Sequence, residues 1–141
     1  MKPGDMPQKI AGYCLETGQP LPQTPGRFVR CILESLALLY RLTLEEMKQL
    51  TGRAVTRLHI VGGGSQNALL NQFAANATGR QVVAGPAEAT AVGNVLIQTI
   101  ALGHLDSLFV LRKIVGVSFA LKAFQPLESQ SWQGPTNGSL T

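Results

Sequence analysis

An α/β fold is the class this sequence predicts, and three observations predict it. Residues 58–79, LHIVGGGSQNALLNQFAANATG, read as a short apolar strand, three glycines, a polar turn and an amphipathic helix. Residues 81–103, QVVAGPAEATAVGNVLIQTIALG, repeat the strand–turn–helix plan. The chain of 141 residues has the length of one domain, and a chain of about 150 residues buries roughly 70% of its unfolded surface.

The elements follow in order. Pro3, Gly4, Asp5 and Pro7 mark residues 1–9 as a loop. A short helix is expected over 8–17, and then GQPLPQTPG, which can be neither helix nor central strand. From Arg27 to Leu50 the spacing is helical, with Phe28, Ile32, Leu36 and Leu39 in a stripe and Val29, Leu33 and Tyr40 beside it. So wide a stripe fits a helix packed between layers. Gly52 ends it. Thr56–Val61 is the first strand, Asn67–Thr78 the next helix and Gln81–Ala84 the second strand. The helix over Asn67–Thr78 should bury Leu69, Leu70, Phe73, Ala74 and Ala77.

Gly85-Pro86 turns the chain, and a helix over about Ala89–Leu102 carries Val92, Leu96, Thr99 and Ile100 on one side. Glu88 lies favourably at its start. Gly93 inside that helix costs about 1 kcal/mol relative to alanine, which suggests close approach of something to the backbone. Leu108, Leu111 and Val115 fit a short helix, and Val117–Phe124 an edge strand. From Gln125 to the end the sequence is polar and expected to fray.

Composition narrows the function classes. The net charge is +4, but the twelve Lys and Arg are scattered, with only Arg112-Lys113 adjacent. No basic run with interleaved aromatics favours nucleic acid. No apolar stretch is long enough to span a bilayer, and no signal peptide opens the chain, so a cytoplasmic protein without membrane contact is expected. Charged residues make up only 14%, which suggests a surface partly covered by a partner or by further chain. The cysteines are Cys14 and Cys31. They can be reduced, as cytosol favours, or bridged, closing a loop worth about 3 kcal/mol. No CxxC or paired His suggests a metal site, and His59 and His104 read as ordinary surface or packing residues.

The chemistry centres on Gly62, Gly63, Gly64, Ser65 and Asn67. A glycine turn at a helix amino end presents unpartnered N–H groups and a positive dipole, which suits phosphate. GGGSQN is neither a Walker A loop nor GxGxxG. Three successive glycines exceed what a turn requires, and Ser65 and Asn67 add polar groups for a ribose or base. Read without any relatives, the segment suits either a tight strand–helix turn or a nucleotide site.

TPGRFVRCILESLALLYR, LHIVGGGSQNALLNQFAANATG and VVAGPAEATAVGNVLIQ together carry a family resemblance. The sequence resembles the carboxy-terminal domain of the FGGY carbohydrate kinases from about Pro3 to about Phe124. The combination GGGSQN-x-LLNQ with EATA-x-GN is specific, and Gly93-Asn94 points to the branch that phosphorylates L-rhamnulose or a related ketose.

The resemblance implies an actin-like ATPase (ribonuclease H-like) domain over residues 1–124, incomplete at its amino-terminal side, forming the C-terminal half of a two-domain sugar kinase. ATP or ADP with Mg²⁺ is the implied cofactor. Gly62, Gly63 and Gly64 would meet the nucleotide through their backbones, Gly63 foremost, with Ser65 and Asn67 beside the adenosine. Glu88 and Thr90 are structural.

The family's catalytic aspartate, phosphate loops, magnesium-holding acids and most sugar contacts belong to its amino-terminal part. Asp5 and Asp106 are the only aspartates here, and neither lies in a motif suited to a base. The expectation is therefore a part of a kinase with no catalytic residue and no metal ligand of its own, completed by an amino-terminal kinase domain in cis or trans and inactive alone. A regulatory nucleotide-binding module and a structural remnant of a kinase gene remain as other readings.

Overall fold

The computed structural model describes residues 5–127 and 129–132. Its first helix, α1, is Met6–Glu16. It starts earlier than the sequence suggests because Asp5 caps it, accepting from the Gln8 N–H at 3.3 Å, and Pro7 falls in the first turn, where no amide hydrogen is needed. Residues 6–9 are therefore helical rather than loop.

The long helix α2 is Pro25–Thr51. Thr24 caps it through Oγ1, which accepts from the Arg27 N–H at 3.3 Å, and Pro25 takes the first helical position. Gly52 closes it at φ +67°, donating its N–H to the Lys48 carbonyl at 2.9 Å.

A sheet of three short strands follows: β1 (Arg57–Ile60), β2 (Gln81–Ala84) and β3 (Lys122–Phe124). β2 is central. It runs parallel to β1, with Leu58 beside Val82 and Ile60 beside Ala84, and antiparallel to β3, with Val82 beside Phe124. A helical crossover is required between parallel neighbours, and α3, Ala68–Thr78, supplies it.

The core is built around α3. On one side Leu70, Phe73 and Ala77 meet Leu33 and Ala37 of α2. On the other, Ala74 and Ala75 meet Ile60 and Val82 of the sheet, and Tyr40 packs against both groups. The expected core positions of α3 hold except Leu69, which is exposed. Two polar residues are buried there as well, Asn71 and Asn76.

The α2 stripe is turned from the expected one. Leu33, Ala37 and Leu44 are buried, whereas Val29, Ile32, Leu36 and Leu39 are exposed. Apolar residues occur on most sides of this helix, so periodicity alone does not choose a face. Ala37, wholly buried, has no side chain beyond Cβ and lets α3 come close.

Helices α4 (Ala89–Ala101) and α5 (Leu108–Ser118) lie between β2 and β3 in the chain and bury no residue fully. Val92, Leu96, Thr99 and Ile100 are only half-buried. Close approach at Gly93 is not found: a Cβ placed there meets nothing within 4 Å. The expected strand over 117–124 shrinks to β3, because Ser107 caps α5 and its apolar spacing carries the helix through Ser118. Both cysteines are free, Cys14 buried and Cys31 half-buried, so the bridge does not form.

Part of the segment after Phe124 contacts α3. Gln125 accepts from Gln72 Nε2 at 2.8 Å, the Leu127 N–H donates to Asn76 Oδ1 at 3.0 Å, and Trp132 lies against Phe73 with ring centroids 5.3 Å apart. Arg41 Nη1 donates to the Trp132 carbonyl. Of the expected tail, residues 128 and 133–141 lie outside the described residues. No helix among the described residues is long and apolar enough to cross a membrane.

Candidate functional site

The carboxyl ends of β1 and β2 lie side by side because the strands are parallel, and their turns are tied together. The Gly85 N–H donates to the Ile60 carbonyl at 2.9 Å, and the Gly62 N–H donates to the Pro86 carbonyl at 3.1 Å. In open α/β sheets this end is where ligands bind.

The glycines fold into a 3-10 turn, Gly62–Gln66, rather than opening α3 directly. Gly62 stands at φ +72°, a backbone conformation that glycine adopts without strain. Gly63 has no such need: its φ is not positive, and a Cβ there meets nothing within 4 Å. At Gly64 a Cβ would touch only Ile60 Cγ2, at 3.6 Å.

Side chains fasten the turn from within. Ser65 Oγ donates to the Gly62 carbonyl at 2.6 Å. Asn71, fully buried in α3, donates from Nδ2 to the Ser65 carbonyl at 2.9 Å, and its Oδ1 has no partner among the described residues. Asn67 caps α3, its Oδ1 accepting from the Leu70 N–H at 3.0 Å. The Ser65 proton and the Asn67 carbonyl oxygen are thus committed within the chain. The Ser65 oxygen can still accept, and the Asn67 amide can still donate.

A concavity of about 200 Å³ opens beside this turn. Ser65 and Gln66 form one side, residues 84–87 the floor, and Phe119, Ala120 and Lys122 the far side. Of the five expected site residues only Ser65 lines it. Gly62, Gly63, Gly64 and Asn67 lie along the same turn without lining it.

Reading along the chain missed Gln66, Phe119, Ala120 and Lys122. Gln66 lay inside the motif. The other three are brought in by the antiparallel pairing of β3 with β2, and no local pattern announces that pairing. Gly85 stands at φ +111°, and a Cβ there would come within 3.3 Å of Leu121 Cδ2, so the floor and the far side fit closely.

Neither aspartate joins this site. Asp5 caps α1, and Asp106 is exposed between α4 and α5. His59 is exposed on β1, and His104 donates its N–H to the Thr99 carbonyl at the end of α4. Among the described residues no three His, Cys, Asp or Glu side chains gather as a metal-ligating group.

Comparison with known proteins places these features in context. The family described as "FGGY family of carbohydrate kinases, C-terminal domain" matches residues 1–102. A rhamnulokinase of Bacteroides thetaiotaomicron is 50% identical over 130 residues, covering 92% of this chain and 27% of its own length. Rhamnulokinases of Enterobacter sp. (strain 638) and Enterococcus faecalis are 47% and 45% identical, over 89% and 92% of this chain. The chain thus spans about a quarter of the length of the curated relatives it matches.

Proposed function

The chain belongs to the FGGY family of carbohydrate kinases, and from that membership we propose that it is the nucleotide-binding, carboxy-terminal part of a rhamnulokinase. The reaction is transfer of the γ-phosphoryl of ATP to L-rhamnulose. A sugar hydroxyl oxygen gives its proton to a base of the amino-terminal part and bonds to the γ-phosphorus, the bond from that phosphorus to the β–γ bridging oxygen breaks, and ADP leaves with L-rhamnulose 1-phosphate as product. The fold is an actin-like ATPase domain, a reading supported by the parallel β1–β2 pair with a glycine turn at its carboxyl end.

Gly63 carries the nucleotide reading. Neither φ nor crowding within the chain calls for glycine there, so its value lies in letting something else reach the backbone. Gly62, Gly63 and Gly64 approach the nucleotide through main-chain atoms, with Ser65 and Asn67 beside the adenosine. Ser65, Gln66 and the residue 84–87 turn give this end of the sheet a shape and polarity that suit such a ligand. Mg²⁺ would supply charge neutralisation at the phosphates and would be held chiefly by the remaining part of the kinase.

Catalysis needs a base, the metal and both substrates positioned together. The 141 residues alone are inactive in this reading, because Asp5 and Asp106 serve as a helix cap and a loop residue. An amino-terminal kinase domain, in cis or in trans, supplies the catalytic aspartate and the ketose contacts. The enzyme works in the cytoplasm.

Titration calorimetry with ADP and Mg²⁺, run beside a Gly63→Val variant of unchanged circular dichroism, tests the nucleotide site. Saturable binding that the variant loses is the expected result. Absence of binding by the folded chain, or equal binding by the variant, overturns the assignment. Formation of ADP dependent on L-rhamnulose, by purified chain alone, would overturn the inactivity.

A further inference from the structure

We infer that Lys122 takes a phosphate of the bound nucleotide from the far side of the concavity, opposite the glycine turn. The inference rests on the nucleotide reading above and extends it to a residue beyond 102, where the family match stops.

Three observations carry it. Lys122 lines the same concavity as Ser65 and Gln66, and it is the one charged side chain among the lining residues. It begins β3 and pairs with Ala84, the last residue of β2. That register brings its strand position to the carboxyl end of the parallel pair, where the glycine turn begins. Its ammonium has no hydrogen-bond or ion-pair partner among the described residues.

The remaining lining is chemically quiet. Ala84, Pro86, Ala87, Phe119 and Ala120 offer apolar surface and main-chain atoms. Such a wall suits the uncharged part of a nucleotide but gives nothing to balance phosphate. One lysine on the rim supplies a mobile point charge with three donors, the usual way a single residue meets phosphate without bidentate geometry. β3 is anchored through its ladder to β2, so the base of the side chain is held while its end can reach into the opening.

The experiment compares ADP with adenosine, both titrated into the unaltered chain, Lys122→Ala, Lys122→Arg and Gly63→Val. Lys122 is exposed and its side chain bonds to nothing among the described residues, so circular dichroism of the Lys122 variants should match the unaltered protein. Lys122→Ala is expected to weaken ADP about tenfold, the size of one charge-assisted contact, and to leave adenosine unchanged. Lys122→Arg should retain ADP. Raised salt should weaken ADP binding to the unaltered chain more steeply than to Lys122→Ala.

If Gly63→Val abolishes ADP binding while Lys122→Ala leaves it intact, the Lys122 assignment is overturned and the nucleotide site stands. Equal weakening of ADP and adenosine by Lys122→Ala overturns it too, because the lysine would then serve the wall rather than the phosphate. Failure of the unaltered chain to bind either ligand overturns the nucleotide reading, and this inference with it.

Discussion

Gly62 and Gly63 are neighbours in sequence, yet they are glycines for different reasons. Gly62 sits at φ +72°, so Gly62→Ala should cost about 1 kcal/mol or more in urea unfolding. Gly63→Ala should change stability by less than about 0.5 kcal/mol, because its backbone is ordinary and its Cβ would meet open space. A loss at Gly63 matching that at Gly62 would refute this division. Asn71 shows the same contrast between sequence and site. Its Nδ2 fastens the Ser65 carbonyl from a fully buried position, and Asn71→Ala should cost about 1–3 kcal/mol. The glycines were legible because three in a row are conspicuous. Asn71 was not, since an asparagine on an apolar helix carries no sign of burial, and Lys122 reaches the site only through a strand pairing that no local pattern encodes.

At the scale of elements, caps were easier to anticipate than faces. Thr24-Pro25 and Gly52 delimit α2 chemically, so its ends fell within two residues of expectation. Its buried side did not, because Leu and Val occur on most of its circumference. The exposed residues Val29, Ile32, Leu36 and Leu39 form a second apolar side. Leu33→Ala, on the packed side, should lower stability by about 2–3 kcal/mol in denaturant unfolding. Lysine at both Leu36 and Leu39 should leave the unfolding midpoint nearly unchanged and raise solubility, as read by light scattering. Strong destabilisation by those lysines would show that this side is covered within the chain.

For the whole molecule, the core is one helix deep. α3 joins α2 to the sheet, while α4 and α5 bury no residue fully and expose Val95, Phe109 and Val117. The thin charge complement of the sequence, 14% of residues, hinted at such uncovered surface. The alternation of strands and helices made the α/β class legible, but the small sheet order and the docking of Gln125, Leu127 and Trp132 depend on contacts far apart in sequence. With so much apolar surface open, the isolated chain should bind a hydrophobic dye and self-associate as its concentration rises, measured by fluorescence and sedimentation. Adding the amino-terminal part of a related rhamnulokinase should suppress both; no change in either would count against that part as the partner.

The docking of Trp132 on Phe73 also makes the chain its own reporter. Trp132 is the one tryptophan in the sequence, and it sits 5.3 Å from a core ring while its carbonyl accepts from Arg41 on α2. Its emission colour therefore registers release of this closing segment from α3, whereas far-ultraviolet ellipticity registers the helices themselves. Heated slowly, the protein should redden in emission before it loses ellipticity, resolving an outer melting step from an inner one without any added label.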